Sequence, residues 1–289
     1  MYDVTIFGIT IPLDPIAFTI KLGSKSWDIY WYGIIIATGF ALAILYGFKN
    51  AERLNINKDK MLDVVLVAAP VAILCARAYY IIFDGVKCES IADFFGFGSS
   101  SGFAGLAIYG GVIGAFVSGG IMCILRKVKI SDMFDLAALG FLIGQGIGRW
   151  GNFVNQEAFG SLTGSSWWGM ESVRTIAEVG PGMVHPCFLY ESVWCAIGFI
   201  LIHKLSKKRH FSGELFLSYC AWYGFGRGFI ELLRTDSLML GPIKVSCLLG
   251  FAACIASVTA IIVIRKKIKP EAEYVSVFSE NMEEENATD

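Results

Sequence analysis

Seven apolar runs, each near the ~20 residues needed to cross a bilayer, set the limits on what this chain can become. They are Tyr30–Phe48, Leu62–Phe83, Phe103–Leu125, Met133–Trp150, Cys187–Leu205, Glu214–Leu233 and Val245–Ile264. The segments after the first, third, fifth and seventh runs are basic: Lys49, Arg53, Lys58 and Lys60; Arg126, Lys127 and Lys129; Lys204, Lys207, Lys208 and Arg209; Arg265, Lys266, Lys267 and Lys269. Those after the second and fourth carry only Lys87 and Arg174, and the turn Leu238–Ile243 carries none. Basic loops stay cytoplasmic, so the alternation predicts an all-α, seven-span membrane protein with the N-terminus outside and the C-terminus in the cytoplasm. Composition agrees: 55% hydrophobic and 17% charged residues, mean hydropathy +0.59, against roughly 45–50% and 25% in soluble domains.

Three regions follow. Residues 1–29, with Pro12, Pro15 and Gly23 among alternating apolar residues, read as an irregular segment on the membrane surface. Residues 30–269 form the transmembrane domain, with a small structured cap over 151–184, and the acidic tail 270–289 reads as disordered. No basic stretch followed by an apolar core and cleavage site opens the chain, so the first span is expected to act as its own insertion signal. Phe94, Phe95 and Phe97 suit a segment dipping into the interface, and the glycine-rich third run suits close helix packing. No internal repeat is visible, which counts against a transporter. No basic block suits nucleic acid. The eight cysteines make no CxxC pair and lie mostly in apolar runs, which disfavours a metal site or disulfide framework; Cys88 and Cys187 lie near predicted outer loops.

The fourth run ends in Gly148-Arg149-Trp150-Gly151-Asn152-Phe153-Val154-Asn155-Gln156-Glu157-Ala158-Phe159-Gly160. An arginine at bilayer depth costs on the order of 2.5–3.5 kcal/mol on insertion scales, so such residues face the protein interior and mark function. The alternative is an interfacial anchor whose head snorkels to water. His185, Tyr190 and Glu191 open the fifth run. Arg227, Glu231 and Arg234 share one face of the sixth; as an alternative they form a structural ion-pair network. His185 has a bland reading as an interfacial histidine, Tyr109 as packing, and Asn152 and Asn155 as helix-end caps. In the predicted topology all converge on the outer half of the bilayer. Arginines there suit an anionic lipid phosphate, whose oxygens the guanidinium fork matches in pairs.

Together these residues resemble the bacterial prolipoprotein diacylglyceryl transferase family. The stretch from Gly148 through Gly160 resembles its signature, supported by Tyr32-Gly33, Ala76-Arg77-Ala78-Tyr79-Tyr80, Gly105-Leu106-Ala107-Ile108-Tyr109-Gly110-Gly111, His185-Pro186-Cys187-Phe188-Leu189-Tyr190-Glu191 and Arg227 through Asp236. The resemblance runs from about Tyr30 to the last span. It implies a plasma-membrane enzyme, working at the outer leaflet, that moves the diacylglyceryl group of phosphatidylglycerol to the lipobox cysteine of a preprolipoprotein signal peptide. A thioether forms and glycerol-1-phosphate leaves, with no metal or cofactor. Arg149, Asn152, Asn155, Tyr32, Arg77 and Arg234 are then expected to bind substrate. Arg227 is expected to stabilise the departing charge, with Glu231 and Arg234 orienting it. Tyr109, His185 or Glu157 would accept the thiol proton. Many members carry His where this chain has Tyr109, a poorer base near neutral pH. Competing readings are another phospholipid-processing enzyme, though no nucleophilic Ser or His and no acidic metal motif is apparent, and a lipid scramblase or anion channel.

Overall fold

The computed structural model describes residues 2–23, 25–83, 88, 90–95, 105–235, 237, 239–241 and 243–268. The chain forms two compact units, one of residues up to Gly47 and from Phe134 onward, the other of Phe48–Met133. Among the described residues, six helices are long and apolar enough to cross a membrane: α1 (Trp31–Asn50), α2 (Lys58–Phe83), α4 (Ile108–Leu125), α5 (Ile130–Val154), α7 (Cys187–Ser206) and α9 (Val245–Lys267). A further helix, α8 (Glu214–Leu233), has 20 residues but carries Glu214, Arg227 and Glu231. Shorter helices are α3 (Ile91–Phe94) and α6 (Val173–Val179), and Glu52–Leu54 makes one 3-10 turn. Parts of the expected loop 84–101, and the tail from residue 269, lie outside the described residues.

The N-terminal segment corrects the sequence reading. It is not irregular but forms four strands, β1 (Tyr2–Ile6), β2 (Ile9–Leu13), β3 (Ile16–Leu22) and β4 (Lys25–Tyr30). Phe7 and Gly8, both at positive φ, close β1 onto β2 with the two-residue turn that matches strand twist. Pro12 is tolerated because β2 is an edge strand. On the other side of β1 lies β5 (Met170–Ser172), so the N-terminus belongs to the cap. The fold is thus helical with small sheets rather than all-α. Val4, Phe153, Phe159, Met170, Val184 and Phe188 form the cap's buried core, which continues into the ends of α5 and α7. Cys88 is exposed and Cys187 is buried, and neither is in a disulfide.

Within the smaller unit, α4 lies on α2 through Gly110 and Gly114, where an added Cβ would run into Cys75 and Tyr79 or into Cys75 and Ala72. In the larger unit, α1 seats on α5 through Gly39 on Ile147, Gly148 on Ile36 and Gly151 on the Tyr32 ring. The join of α7 to α8 is reciprocal. Trp194 and Trp222 stack at 4.1 Å and 11°, and each indole N–H donates to the other's backbone carbonyl at 2.9 Å. Each ring lies over the glycine four residues beyond its partner, Trp222 on Gly198 and Trp194 on Gly226.

At the far end of the same unit, the Asp135 carboxylate is fully buried. It pairs with Arg209 at 2.8 Å and accepts the backbone N–H groups of Gly213 and Phe216, each at 2.8 Å. Those are otherwise orphan donors at the start of α8. Beside it, buried Glu214 pairs with Arg265 of α9 at 2.5 Å. Gly226→Val should push Trp194 off its seat and cost on the order of 1–3 kcal/mol, as overpacking does, read as a lowered thermal unfolding midpoint of the detergent-solubilised protein.

Candidate active site

The end of α5 turns sharply after Val154. Gln156 and Ala158 both adopt positive φ, 53° and 58°, a conformation uncommon outside glycine. Between them Glu157 is brought back over the helix end, its N–H on the Asn152 carbonyl at 2.9 Å. Its carboxylate accepts from the Asn152 amide at 2.8 Å and more weakly from Asn155 at 3.5 Å, with Arg174 at 3.9 Å. The strand-like stretch that follows stitches two helices together. Gly160 donates to the His185 carbonyl at 2.9 Å, before α7, and Ser161 to the Leu233 carbonyl at 2.8 Å, at the end of α8. A Cβ at Gly160 would meet His185, the Leu233 carbonyl and Cys187 within 3.0 Å, so no other residue fits there without displacement.

Arg149 lies one turn inside the end of α5. Its Nε pairs with Glu191 of α7 at 2.5 Å. Its Nη groups make longer contacts, to Asn152 at 3.2 Å and the Tyr223 hydroxyl at 3.4 Å. The other Glu191 oxygen takes Arg227 of α8 at 2.8 Å, and Arg227 also pairs with Glu231 at 2.5 Å. Glu191 and Glu231 side chains are 3% and 1% exposed, whereas Arg149 and Arg227 are 19% and 18% exposed. The carboxylates are sealed in and each guanidinium shows an edge. Two Arg and two Glu sum to zero charge, so this quartet is a neutral, oriented donor array rather than a positive pocket. Tyr219 stacks on Tyr223 at 5.7 Å and receives the Gln145 amide at 2.9 Å one turn below Arg149.

The remaining candidates fall in several places. Tyr32 lies on Gly151, two residues past Arg149. His185 faces the Tyr190 hydroxyl at 3.2 Å, and Trp168 donates to that hydroxyl at 3.0 Å. Arg234 ends α8, and its carbonyl, with those of Glu231 and Leu232, takes the Lys244 ammonium at 2.6–3.2 Å. Arg77 and Tyr109 belong to the smaller unit. Arg77 is buried and donates to the Phe94, Gly105 and Asp93 carbonyls at 3.0–3.4 Å, while Tyr109 is 44% exposed in the first turn of α4. Sequence reasoning gave no site role to Glu191, Tyr223 or Gln145. Their spacing carried a signal: Gln145 precedes Arg149 by four residues, and Tyr223 precedes Arg227 by four, so each shares its arginine's face.

Removing Glu191 leaves two buried-edge guanidinia facing each other. Glu191→Ala should cost about 3–5 kcal/mol, visible in thermal unfolding. Glu191→Gln, which keeps the shape, should lose less stability yet still disorder the Arg149 edge.

The chain matches the family model of prolipoprotein diacylglyceryl transferase over residues 15–263. Among similar proteins, those named phosphatidylglycerol–prolipoprotein diacylglyceryl transferase in Bacillus cytotoxicus and Bacillus cereus strain G9842 are each 40% identical, over 275 and 274 residues. The matches cover 93% of this chain in both cases and 99% and 98% of those proteins. One from Bacillus cereus strain B4264 is 41% identical over 91% of this chain and 96% of its own length. Matched by the family model over residues 15–263 and by these relatives nearly end to end, the chain belongs to the prolipoprotein diacylglyceryl transferase family.

Proposed function

We propose that this chain is the membrane enzyme that transfers the diacylglyceryl group of phosphatidylglycerol to the lipobox cysteine thiol of preprolipoproteins. The observation that carries the reading is the Arg149–Glu191–Arg227–Glu231 chain of ion pairs. It holds two guanidinium edges partly open in a helical membrane protein, and relatives are named for this lipid and this protein substrate.

The chemistry needs a proton removed from the thiol, because the thiolate is the nucleophile. Its sulfur bonds to the glyceryl carbon as the bond from that carbon to the phosphate oxygen breaks, and glycerol-1-phosphate carries away the negative charge. Fixed donors in a water-poor site are the strongest help for such a step, because they need no reorganisation as charge develops. Arg149 binds the lipid phosphate: its 3.2 and 3.4 Å contacts are longer than a charge-assisted bond, so phosphate oxygens displace them at little cost. Arg227, oriented by Glu231, stabilises the leaving group. Asn152, Asn155, Tyr32 and Arg234 join Arg149 in binding substrate, and Arg77 of the smaller unit is a separate substrate-binding candidate. Tyr109, His185 or Glu157 takes the thiol proton.

α8 is the seventh span, its three charges covered by partners on α7 and α9 and by its own Arg227–Glu231 pair. The N-terminus lies outside, the C-terminus in the cytoplasm, and the quartet toward the outer leaflet of the plasma membrane. The alternation of basic loops supports this. So does the segregation of the larger unit, with the quartet and cap at one end of its helices and the Asp135 and Glu214 pairs at the other.

A purified assay with phosphatidylglycerol vesicles and a lipobox peptide, read by mass, tests the reaction. The wild-type chain should add one diacylglyceryl group to the cysteine peptide and none to its Cys→Ser counterpart. Arg149→Ala should lower the rate by at least about 10²–10³-fold, the loss typical of a charge-stabilising donor, while still inserting in the membrane. Arg149→Lys should not restore it, since an ammonium lacks the planar fork. Normal transfer by Arg149→Ala removes that residue from the site. Of Tyr109→Phe, His185→Ala and Glu157→Gln, the variant that loses kcat with KM unchanged identifies the proton acceptor.

A further inference from the structure

The β3–β4 ribbon takes no part in the chemistry above, and its two faces differ. The register pairs Ile20 with Trp27 and Phe18 with Ile29, so these four side chains share one face. Thr19 pairs with Asp28 and Lys21 with Ser26 on the other, and the Thr19 hydroxyl donates to the Asp28 carboxylate at 2.6 Å. The ribbon is a sheet of its own. Phe18, Ile20 and Trp27 are 53%, 41% and 52% exposed. A lone two-stranded hairpin is at best marginally stable in water, and large exposed apolar faces mark a missing partner.

Continuity of the chain says what that partner is. β4 ends at Tyr30 and α1 begins at Trp31 without an intervening residue. The Trp31 N–H donates to the Pro15 carbonyl at 3.0 Å, so the first turn of a membrane-spanning helix pins the base of the hairpin. That base is therefore held at the bilayer boundary, where Tyr and Trp concentrate, and Tyr30 and Trp31 are both exposed there. A seven-residue strand extends about 23 Å from this point.

We propose that the β3–β4 hairpin is a membrane-surface foot, its Phe18, Ile20 and Trp27 face seated in the headgroup–acyl boundary of the leaflet at which α1 begins. Its polar face, with Thr19, Lys21, Ser26 and Asp28, looks to water. The foot fixes the height of the bilayer against the site through covalent continuity: Tyr32 is the second residue of α1 and lies on Gly151, two residues beyond Arg149. Docking requires only the membrane character of α1; the transfer reaction plays no part in it, and each can fail without the other.

The test is site-directed spin labelling of the full chain in vesicles of phosphatidylcholine and phosphatidylglycerol. The exposed thiol is removed by Cys88→Ser, and the signal of that parent is subtracted. Labels go on Phe18→Cys, Ile20→Cys and Trp27→Cys, and on Thr19→Cys, Lys21→Cys and Ser26→Cys. Collision with oxygen, which partitions into lipid, should exceed collision with a water-soluble nickel chelate by several-fold at the first three positions. The ratio should reverse at the other three. Nickel access on both faces would mean that the ribbon projects into water and overturns the proposal. Shielding of the apolar face from both reagents overturns it as well, by placing protein there; spin–spin broadening that vanishes on dilution with unlabelled chain would identify that protein as a second copy.

Discussion

The ion-pair quartet depends on one buried carboxylate. Glu191 reaches Arg149 with one oxygen and Arg227 with the other, so α5, α7 and α8 meet through a single side chain. Each arginine alone would cost a few kcal/mol to bury. Shared, they are held at ion-pair distance before any ligand arrives. Glu231 then takes the second edge of Arg227. The result differs from a simple cationic pocket. Formal charge cancels, and what remains is direction: N–H groups aimed outward from a carboxylate that cannot move. Orientation of that kind is what stabilises developing charge, and a neutral array costs far less to keep in a membrane than two bare cations.

The same economy explains α8. Among the described residues it is the long helix that falls short of the apolar character of a span, and each of its charges is matched from another helix or within the turn. Asp135 caps its first turn from α5, Arg265 of α9 covers Glu214, Glu191 of α7 covers Arg227, and the Lys244 ammonium collects the carbonyls at its end. Helix ends leave four orphan groups each, and in a membrane these have no water to fall back on. Capping from neighbouring elements therefore holds the helix along its axis. The Trp194–Trp222 stack holds it laterally, against α7.

Much of this was legible in the chain. Among the described residues the apolar runs lie within a few residues of the long helices, because a helix long and hydrophobic enough for a bilayer shows in the chain itself. The stretch from Gly148 to Gly160 pointed to the candidate site, and the i, i+4 spacing of Arg227 and Glu231 announced their pair. Pro12, Pro15 and Gly23 hide the strands of the first 30 residues behind an irregular-looking composition, although the Val-Thr-Ile alternation is there, an edge strand tolerates proline and a hairpin wants glycine. The partner of β1 lies about 165 residues further along, in β5, a distance no local pattern spans. Glu191 was visible as a residue but not as the hub, since a three-helix contact has no sequence spacing. Nor does a reciprocal Trp–Gly lock, which needs two helices to be read together.

The backbone around Glu157 shows how the signature's order is enforced. Two consecutive turns into the left-handed region, at Gln156 and Ala158, are strained for side chains with a Cβ, and nothing in their own chemistry favours them. They persist because both flanks are fixed: Glu157 is tied by its N–H to the Asn152 carbonyl and by its carboxylate to the Asn152 amide, and Gly160 is wedged between the entry to α7 and the exit of α8. With both ends held, the stretch from Asn152 to Gly160 has one path. Asn152 thereby serves two partners, Glu157 through its amide and Arg149 through its carbonyl oxygen. The acidic arm of the turn and the guanidinium inside the helix are thus joined by one amide group, so a change in either is felt at the other.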